Sequence, residues 1–136
     1  MREQHLIGKH RVFTEGDVVS VQYDGAVNLS EMAMIQGIYE SRLRLHPRLY
    51  SVFFVAHAVP PPPEVRKGMA QWRRQHKVAG TAVIGASLPI RTIGTLYLRA
   101  THLLGLRTWP VRFVDNEAEA QAFLDELRTS APSAAQ

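Results

Sequence analysis

Apolar and polar positions follow two rhythms along this chain. His10–Glu15 (HRVFTE) and Val18–Tyr23 (VVSVQY) each run with a period near two. With Glu15-Gly16-Asp17 turning between them, they predict a β-hairpin. Asp24-Gly25 then breaks the strand. From Asn28 to His46 the rhythm becomes helical. Met32, Ile35, Tyr39 and Leu43 form one stripe, which should face a sheet. Met34, Ile38 and Leu45 form a second, left over for further core or for contact with a partner. Asn28 with Glu31 three residues on has the pattern of a capping box. Pro47 stops the helix, because the residue before a proline is pushed out of the α region.

Tyr50–Ala56 (YSVFFVA) is almost unbroken apolar sequence, which suits a strand covered on both faces, as in a parallel sheet. Pro60–Pro63 favours a stiff polyproline II segment. With no PxxP array beyond this tract, it is expected to serve as a rigid helix entry rather than a recognition motif. The helix that follows, about Pro63–Lys77, sets Val65, Met69 and Trp72 on one side and Arg66, Lys67, Arg73, Arg74 and Lys77 on the other. Ala79–Gly85 is another buried-type strand. Ser87 and Pro89 open a third helix running to about Leu104, with Gly105 at its end. Its expected core stripe is Ile90, Ile93, Leu96, Tyr97, Ala100, Leu103 and Leu104. Leu98 and Leu106 lie off that stripe, beside Arg91, Arg99 and His102. Val111–Val114 is a last strand. Asn116 and Glu119 suggest a second capping box, and Ala118, Ala122, Phe123 and Leu127 line a final helix to about Arg128. The order β-β-α-β-α-β-α-β-α predicts a single α/β domain, a mixed sheet with mostly parallel, right-handed crossovers. It covers about residues 8–128, with a flexible tail over 129–136.

A chain of 136 residues can bury a core without disulfides or metals. No run approaches the roughly 18 apolar residues of a membrane helix, so a membrane span is not expected. The opening MREQHLIGKHR has no apolar segment of the secretory type, which predicts a cytoplasmic protein. The absence of cysteine excludes thiolate zinc sites, thiol nucleophiles and disulfide scaffolds. Charge is uneven. Between Glu64 and Asp115 stand nine basic residues and no acidic one, whereas the rest of the chain holds seven basic and twelve acidic. That stretch is either a solvated basic half or a face for an anionic partner such as an acidic protein surface, a phosphate ligand, nucleic acid or lipid headgroups.

Catalytic chemistry is sparse. None of the six histidines has the i, i+4 helical spacing of a zinc site, and no metal or cofactor is expected. His57 is notable only for standing at the carboxyl end of a buried strand, where α/β proteins place their sites. Gly80 and Gly85 do not complete a phosphate loop, and GxGxxG and GxSxG are absent. Gly85-Ala86-Ser87 is the best anion candidate. Free N–H groups at a helix N-terminus and the Ser87 hydroxyl could hold a phosphate or carboxylate, with Arg91 one turn on. The structural alternative is that Ser87 is simply an N-cap. Basic residues are not interleaved with patterned aromatics, so nucleic acid is not expected as a partner.

The strand-loop VIGAS (Val83–Ser87), Arg91-Thr92, Leu98-Arg99-Ala100, Phe113-Val114-Asp115, Glu117-Ala118-Glu119-Ala120 with Phe123-Leu124, and Pro63-Glu64-Val65-Arg66 together resemble the SpoIIAA-like branch of the STAS superfamily. This bacterial family is often grouped with CRAL-TRIO lipid carriers. The likeness covers about residues 8–128, and its motifs are caps and packing positions. It departs at Ala56-His57-Ala58-Val59-Pro60, where phospho-switched members carry Asp-x-Ser-Gly. No serine or threonine lies between Val52 and Thr81, so a phosphoserine switch is not expected there. The resemblance implies a non-catalytic regulatory or protein-interaction module. The alternative is a carrier or sensor of a small anionic or amphipathic, lipid-like ligand at Gly85, Ala86, Ser87 and Arg91. The expected interaction surface is Met34, Ile38, Leu45, Leu98, Arg99 and Leu106, used for a protein partner or a homodimer.

Overall fold

The computed structural model describes residues 2–104 and 109–130. Six strands form one sheet: β1 (Glu3–Ile7), β2 (His10–Glu15), β3 (Val18–Gly25), β4 (Tyr50–Ala58), β5 (Gly80–Ile84) and β6 (Val111–Val114). Four helices accompany them: α1 (Leu29–Leu45), α2 (Pro63–Gln75), α3 (Leu88–Leu103) and α4 (Glu117–Ser130). Each strand lies beside its neighbour in sequence, so the spatial order is β1-β2-β3-β4-β5-β6. The first three strands are antiparallel and the last four parallel. The expected α/β class, with its mixed sheet and parallel crossovers, is what the chain adopts.

One strand was not foreseen. Glu3–Ile7 extends the hairpin into a three-stranded antiparallel unit, so the sheet begins ahead of residue 8. Its sequence, EQHLI, carries little apolar signal, and only Ile7 is buried. Backbone pairing to β2 along a sheet edge holds it, rather than a buried face.

Three crossovers step the same way across the sheet, and right-handed crossovers of that kind put their helices on one face. Side-chain alternation then divides the interior in two. Val12, Val19, Val21 and Phe53 face α1 and α2, meeting Ile35, Tyr39 and Trp72. Val52, Phe54, Ala82, Ile84 and Val114 face the opposite way, against Ala120, Phe123 and Leu124 of α4. Of the two α1 stripes, Ile35 and Tyr39 are buried as expected, Ile38 is half-buried against the same core, and Met34 and Leu45 are exposed.

The ends of the helices follow the sequence closely. At α1 the capping box is complete. Asn28 Oδ1 accepts from the Glu31 N–H at 2.8 Å, and Glu31 Oε1 accepts from the Asn28 N–H at 3.0 Å. Pro62 is extended (φ −65°, ψ 162°) and Pro63 occupies the first helical position of α2, so the proline tract does act as a rigid entry. At α4, Asn116 Oδ1 accepts from the Glu119 N–H at 2.9 Å, whereas Glu119 Oε2 reaches one residue further back, to the Asp115 N–H at 3.0 Å. Replacing Asn116 by alanine is expected to cost about 1 kcal/mol, read as a lower urea midpoint at constant slope. An unchanged midpoint would mean that this cap does not stabilise the helix. The residues of the expected tail from 131 onward, with Gly105, Leu106 and Arg107, lie outside the described residues.

The third helix is phased differently from its apolar pattern. Ile90, Ile93, Leu96, Ala100, Leu103 and Leu104, six of the seven residues expected to face the sheet, are exposed. The side chain of Tyr97, the seventh, lies outside the described residues. The side turned to the sheet carries Arg91, Gly94 and Leu98, all half-buried. Two contacts set this phase. A Cβ on Gly94 would come 2.5 Å from Cζ of Phe113, so the missing side chain lets the helix backbone sit down on that ring. Arg91 then fastens the first turn of α3 to the end of β6. A helix tied by a close glycine contact and an arginine is not obliged to turn its most apolar stripe inward.

Candidate functional site

Among the described residues, four places bear on what the protein could bind. The first is the outward face of α3. Ile93, Leu96, Leu103 and Leu104 have 64%, 59%, 84% and 74% of their surface exposed. Scattered apolar residues are ordinary on a surface, but a row of them along one helix marks a contact region. Leu88 and Ile90 extend the row towards the N-terminal end of the helix. Arg99 is exposed beside it, and α3 contains no acidic residue. Leu98, expected to belong to an outer surface, is half-buried on the sheet side instead, because Gly94 and Arg91 fix the phase. Leu106 lies outside the described residues.

The second place is a groove between α1 and the edge strand β1. Leu6, Met34, Ile38 and Leu45 line it together with Ser41 and Arg42. Met34, Ile38 and Leu45 therefore do share one surface. They do not share it with Arg99 or Leu98, because α1 packs at the β1 side of the sheet and α3 at the β6 side. The expected interaction surface is two surfaces, at opposite edges.

The loop Gly85–Ser87 is the third. Gly85 takes the left-handed conformation, at φ +85°, and packs against the β4 backbone, where a Cβ would lie 3.1 Å from the Ala56 nitrogen. Ser87 Oγ accepts from the Ile90 N–H at 3.4 Å, which is the position of an N-cap. Arg91 is already engaged. Its Nε donates to the Ala86 carbonyl at 3.1 Å, and its Nη2 donates to the Val114 carbonyl at 3.1 Å and to Asp115 Oδ1 at 2.7 Å. An anion arriving at Ser87 would compete with Asp115 for that guanidinium. His57 is exposed near the end of β4, opposite Asp24 in the sheet register.

The fourth is a cavity of about 100 Å³ between α1, α2 and the sheet face they cover. Tyr23, Met32, Ile35, Gln36, Tyr39, Ser51, Phe53, Met69, Trp72, Arg73, Val78, Thr81 and Trp109 line it, and it is partly open to solvent. Aromatic rings fix its walls. Trp72 stacks on His76 at 4.4 Å between centroids and meets the edge of Tyr39 at 5.9 Å, and Tyr23 meets the edge of Phe53 at 5.7 Å. The Tyr39 and Ser51 hydroxyls hydrogen-bond to each other at 2.5 Å, and Trp109 Nε1 donates to Thr81 Oγ1 at 2.9 Å. Two buried donors on the lining have no partner: Nε2 of Gln36 and Nε1 of Trp72. Burial pushes the Tyr23 phenol up to about 12, against the opposing pull of the Arg73 charge. Burial raises the Tyr39 phenol too, assisted by Tyr23 and opposed by the Ser51 hydrogen bond and by Arg73. No expectation from the sequence assembled this cavity. Its signals were a tryptophan on a basic helix, a glutamine beside the α1 core stripe and a tyrosine at the end of a strand, and only the fold brings them together.

Among the described residues, no group of three histidine, aspartate or glutamate side chains could hold a metal ion, and no helix is long and apolar enough to cross a membrane. No protein-family model matches the sequence, and no curated protein matches it significantly. Among solved structures, the fold is similar to that of the anti-sigma factor antagonist SpoIIAA in its unphosphorylated form. The TM-score is 0.49 at 9% sequence identity, over 94% of this chain and 98% of that one.

Proposed function

We propose that this protein is a non-catalytic interaction module that docks a protein partner on the outward face of α3. The observation that carries this is the inversion of that helix, whose most apolar stripe points to solvent while a glycine and an arginine face the sheet. Leaving such a stripe wet forgoes about 25 cal/mol for each Å² that a partner could cover. The chemistry of the partner follows from charge. The stretch from Val65 to Val114 has no acidic residue, and Arg66, Lys67, Arg73, Arg74, Lys77 and Arg99 are exposed in it. A second copy of the chain meeting stripe to stripe would set one basic Arg99 flank against another, with no acidic residue on α3 to offset them. An apolar surface rimmed by acidic side chains fits better, with Arg99 on the polar rim of the interface. The alternative, an anionic or lipid-like ligand at Gly85–Arg91, has less support because Asp115 already holds the guanidinium.

A photo-crosslinking residue placed at position 96, with a control at position 121 on exposed α4, tests this. Position 96 is expected to capture a protein that position 121 does not. The purified pair is then expected to bind roughly tenfold or more weakly when Leu96 is replaced by aspartate, and more weakly as salt rises. Circular dichroism should stay native-like, because Leu96 is mostly exposed. Capture of a second copy of this chain would replace the acidic partner with a homodimer. Equal capture at both positions, or indifference to Leu96→Asp, would remove the interface altogether.

A further inference from the structure

Buried donors are almost always paired, so Gln36 Nε2 and Trp72 Nε1, unpartnered in the wall of one cavity, ask for an acceptor. The indole settles the sign, since it can donate and cannot accept. Two pairs of polar groups in the lining are satisfied between themselves, Tyr39 with Ser51 and Trp109 with Thr81. The remaining charge there is Arg73. It is exposed, makes no ion pair among the described residues, and lies near enough to act on both the Tyr23 and Tyr39 phenols. The rest of the wall is hydrocarbon and aromatic: Met32, Ile35, Phe53, Met69 and Val78. An apolar chamber with unspent donors and a cation at its rim is complementary to an amphipathic anion.

We propose that this cavity binds a short-chain carboxylic acid as its anion, with the hydrocarbon against Tyr39, Phe53 and Trp72 and the carboxylate accepting from Gln36, Trp72 and Arg73. Each carboxylate oxygen offers two lone pairs, enough to serve all three donors. Size limits the chain. A cavity of roughly 150 Å³ accepts benzene. The space here is about 100 Å³, smaller than that, so it suits a chain of about two to four carbons and not a longer acyl tail. The site is distinct from Gly85–Arg91 and does not depend on a partner at α3.

Titration of the ¹⁵N-labelled full chain with sodium butyrate, and separately with 1-butanol, tests the proposal at the Trp72 indole N–H signal, assigned by means of Trp109→Phe. Butyrate is expected to move that signal saturably, and butanol, which has the same chain and no charge, to bind roughly tenfold or more weakly. Arg73→Ala, at an exposed position, should keep the fold and weaken butyrate binding by a similar factor while leaving butanol binding unchanged. A Trp72 signal that butyrate does not move would overturn the site. Equal binding of butanol and butyrate, or an Arg73→Ala variant that binds butyrate as the unmodified protein does, would overturn its selectivity for an anion.

Discussion

Leu124→Ala is expected to lower the stability of this protein by about 3 kcal/mol, close to the middle of the range for a fully buried leucine. Leu124 has none of its surface exposed. It stands on α4 among Tyr50, Val52, Ala82, Ile84 and Val114, and among the described residues α4 is the helix that covers this face of the sheet. Neighbours are held in place by the β4–β5–β6 pairing and cannot collapse into the space left behind. Domains of this size are stable by only about 5–15 kcal/mol, so the loss is a large fraction of the whole. Urea unfolding measures it directly, with Leu96→Ala as a comparison that should change the midpoint little. A cost for Leu124→Ala no greater than that for Leu96→Ala would mean that α4 is not seated on the sheet.

Alkaline pH should act through the cavity. In the unfolded chain Tyr23 and Tyr39 ionise near pH 10, whereas burial holds Tyr23 protonated to about 12 and Tyr39 protonated as well. Above pH 10 the unfolded state therefore gives up protons that the native state retains. Proton linkage makes stability fall as pH rises, by about 1.4 kcal/mol per pH unit for each phenol. The contribution is fully present below pH 10 and is lost on the way up through the native values. Urea midpoints taken at about pH 9 and about pH 11 should show the fall, and the share of tyrosinate absorbance that Tyr39→Phe removes should appear together with unfolding rather than before it. Tyr39→Phe leaves the Ser51 hydroxyl without its 2.5 Å partner, so it should cost about 1 kcal/mol at neutral pH and yet reduce the alkaline slope. An unchanged slope in that variant would show that Tyr39 does not contribute to it.

Periodicity was a good guide wherever burial alone decides conformation. Ile35 and Tyr39 face inward, YSVFFVA is a strand covered on both faces, and Asn28, Pro63 and Asn116 stand where helices begin. It failed where a single contact outweighs the sum of apolar preferences. Gly94 against Phe113 and Arg91 against Val114 and Asp115 turn α3 well away from its expected phase, and nothing in the spacing of leucines reveals that. β1 escaped notice because edge pairing satisfies backbone groups without asking for apolar side chains. For the candidate sites, Ser87 and Arg91 were visible from local sequence, and so was the fact that a cap would explain the serine. Gln36, Trp72 and Arg73 were not. Their significance lies in two donors without partners, a property of three-dimensional packing that no local pattern encodes.

The strand order has a consequence for how the chain is made. Since each strand pairs with the one before it, a nascent chain leaving the ribosome always finds its next docking edge already present. Closing a sheet in this way requires no strand to be inserted between two others, which keeps the loops to be closed short. The contacts of α4 run against this order, and one of them reaches back furthest. Arg128, near the end of α4, grips Asp17 in the β2–β3 turn through two hydrogen bonds, of 2.8 and 3.1 Å, across 111 residues. It can form only after α4 has followed all six strands out of the ribosome. Strand order thus lets vectorial synthesis add the sheet like a zipper from one edge to the other, with the Arg128–Asp17 clasp available only after the last strand.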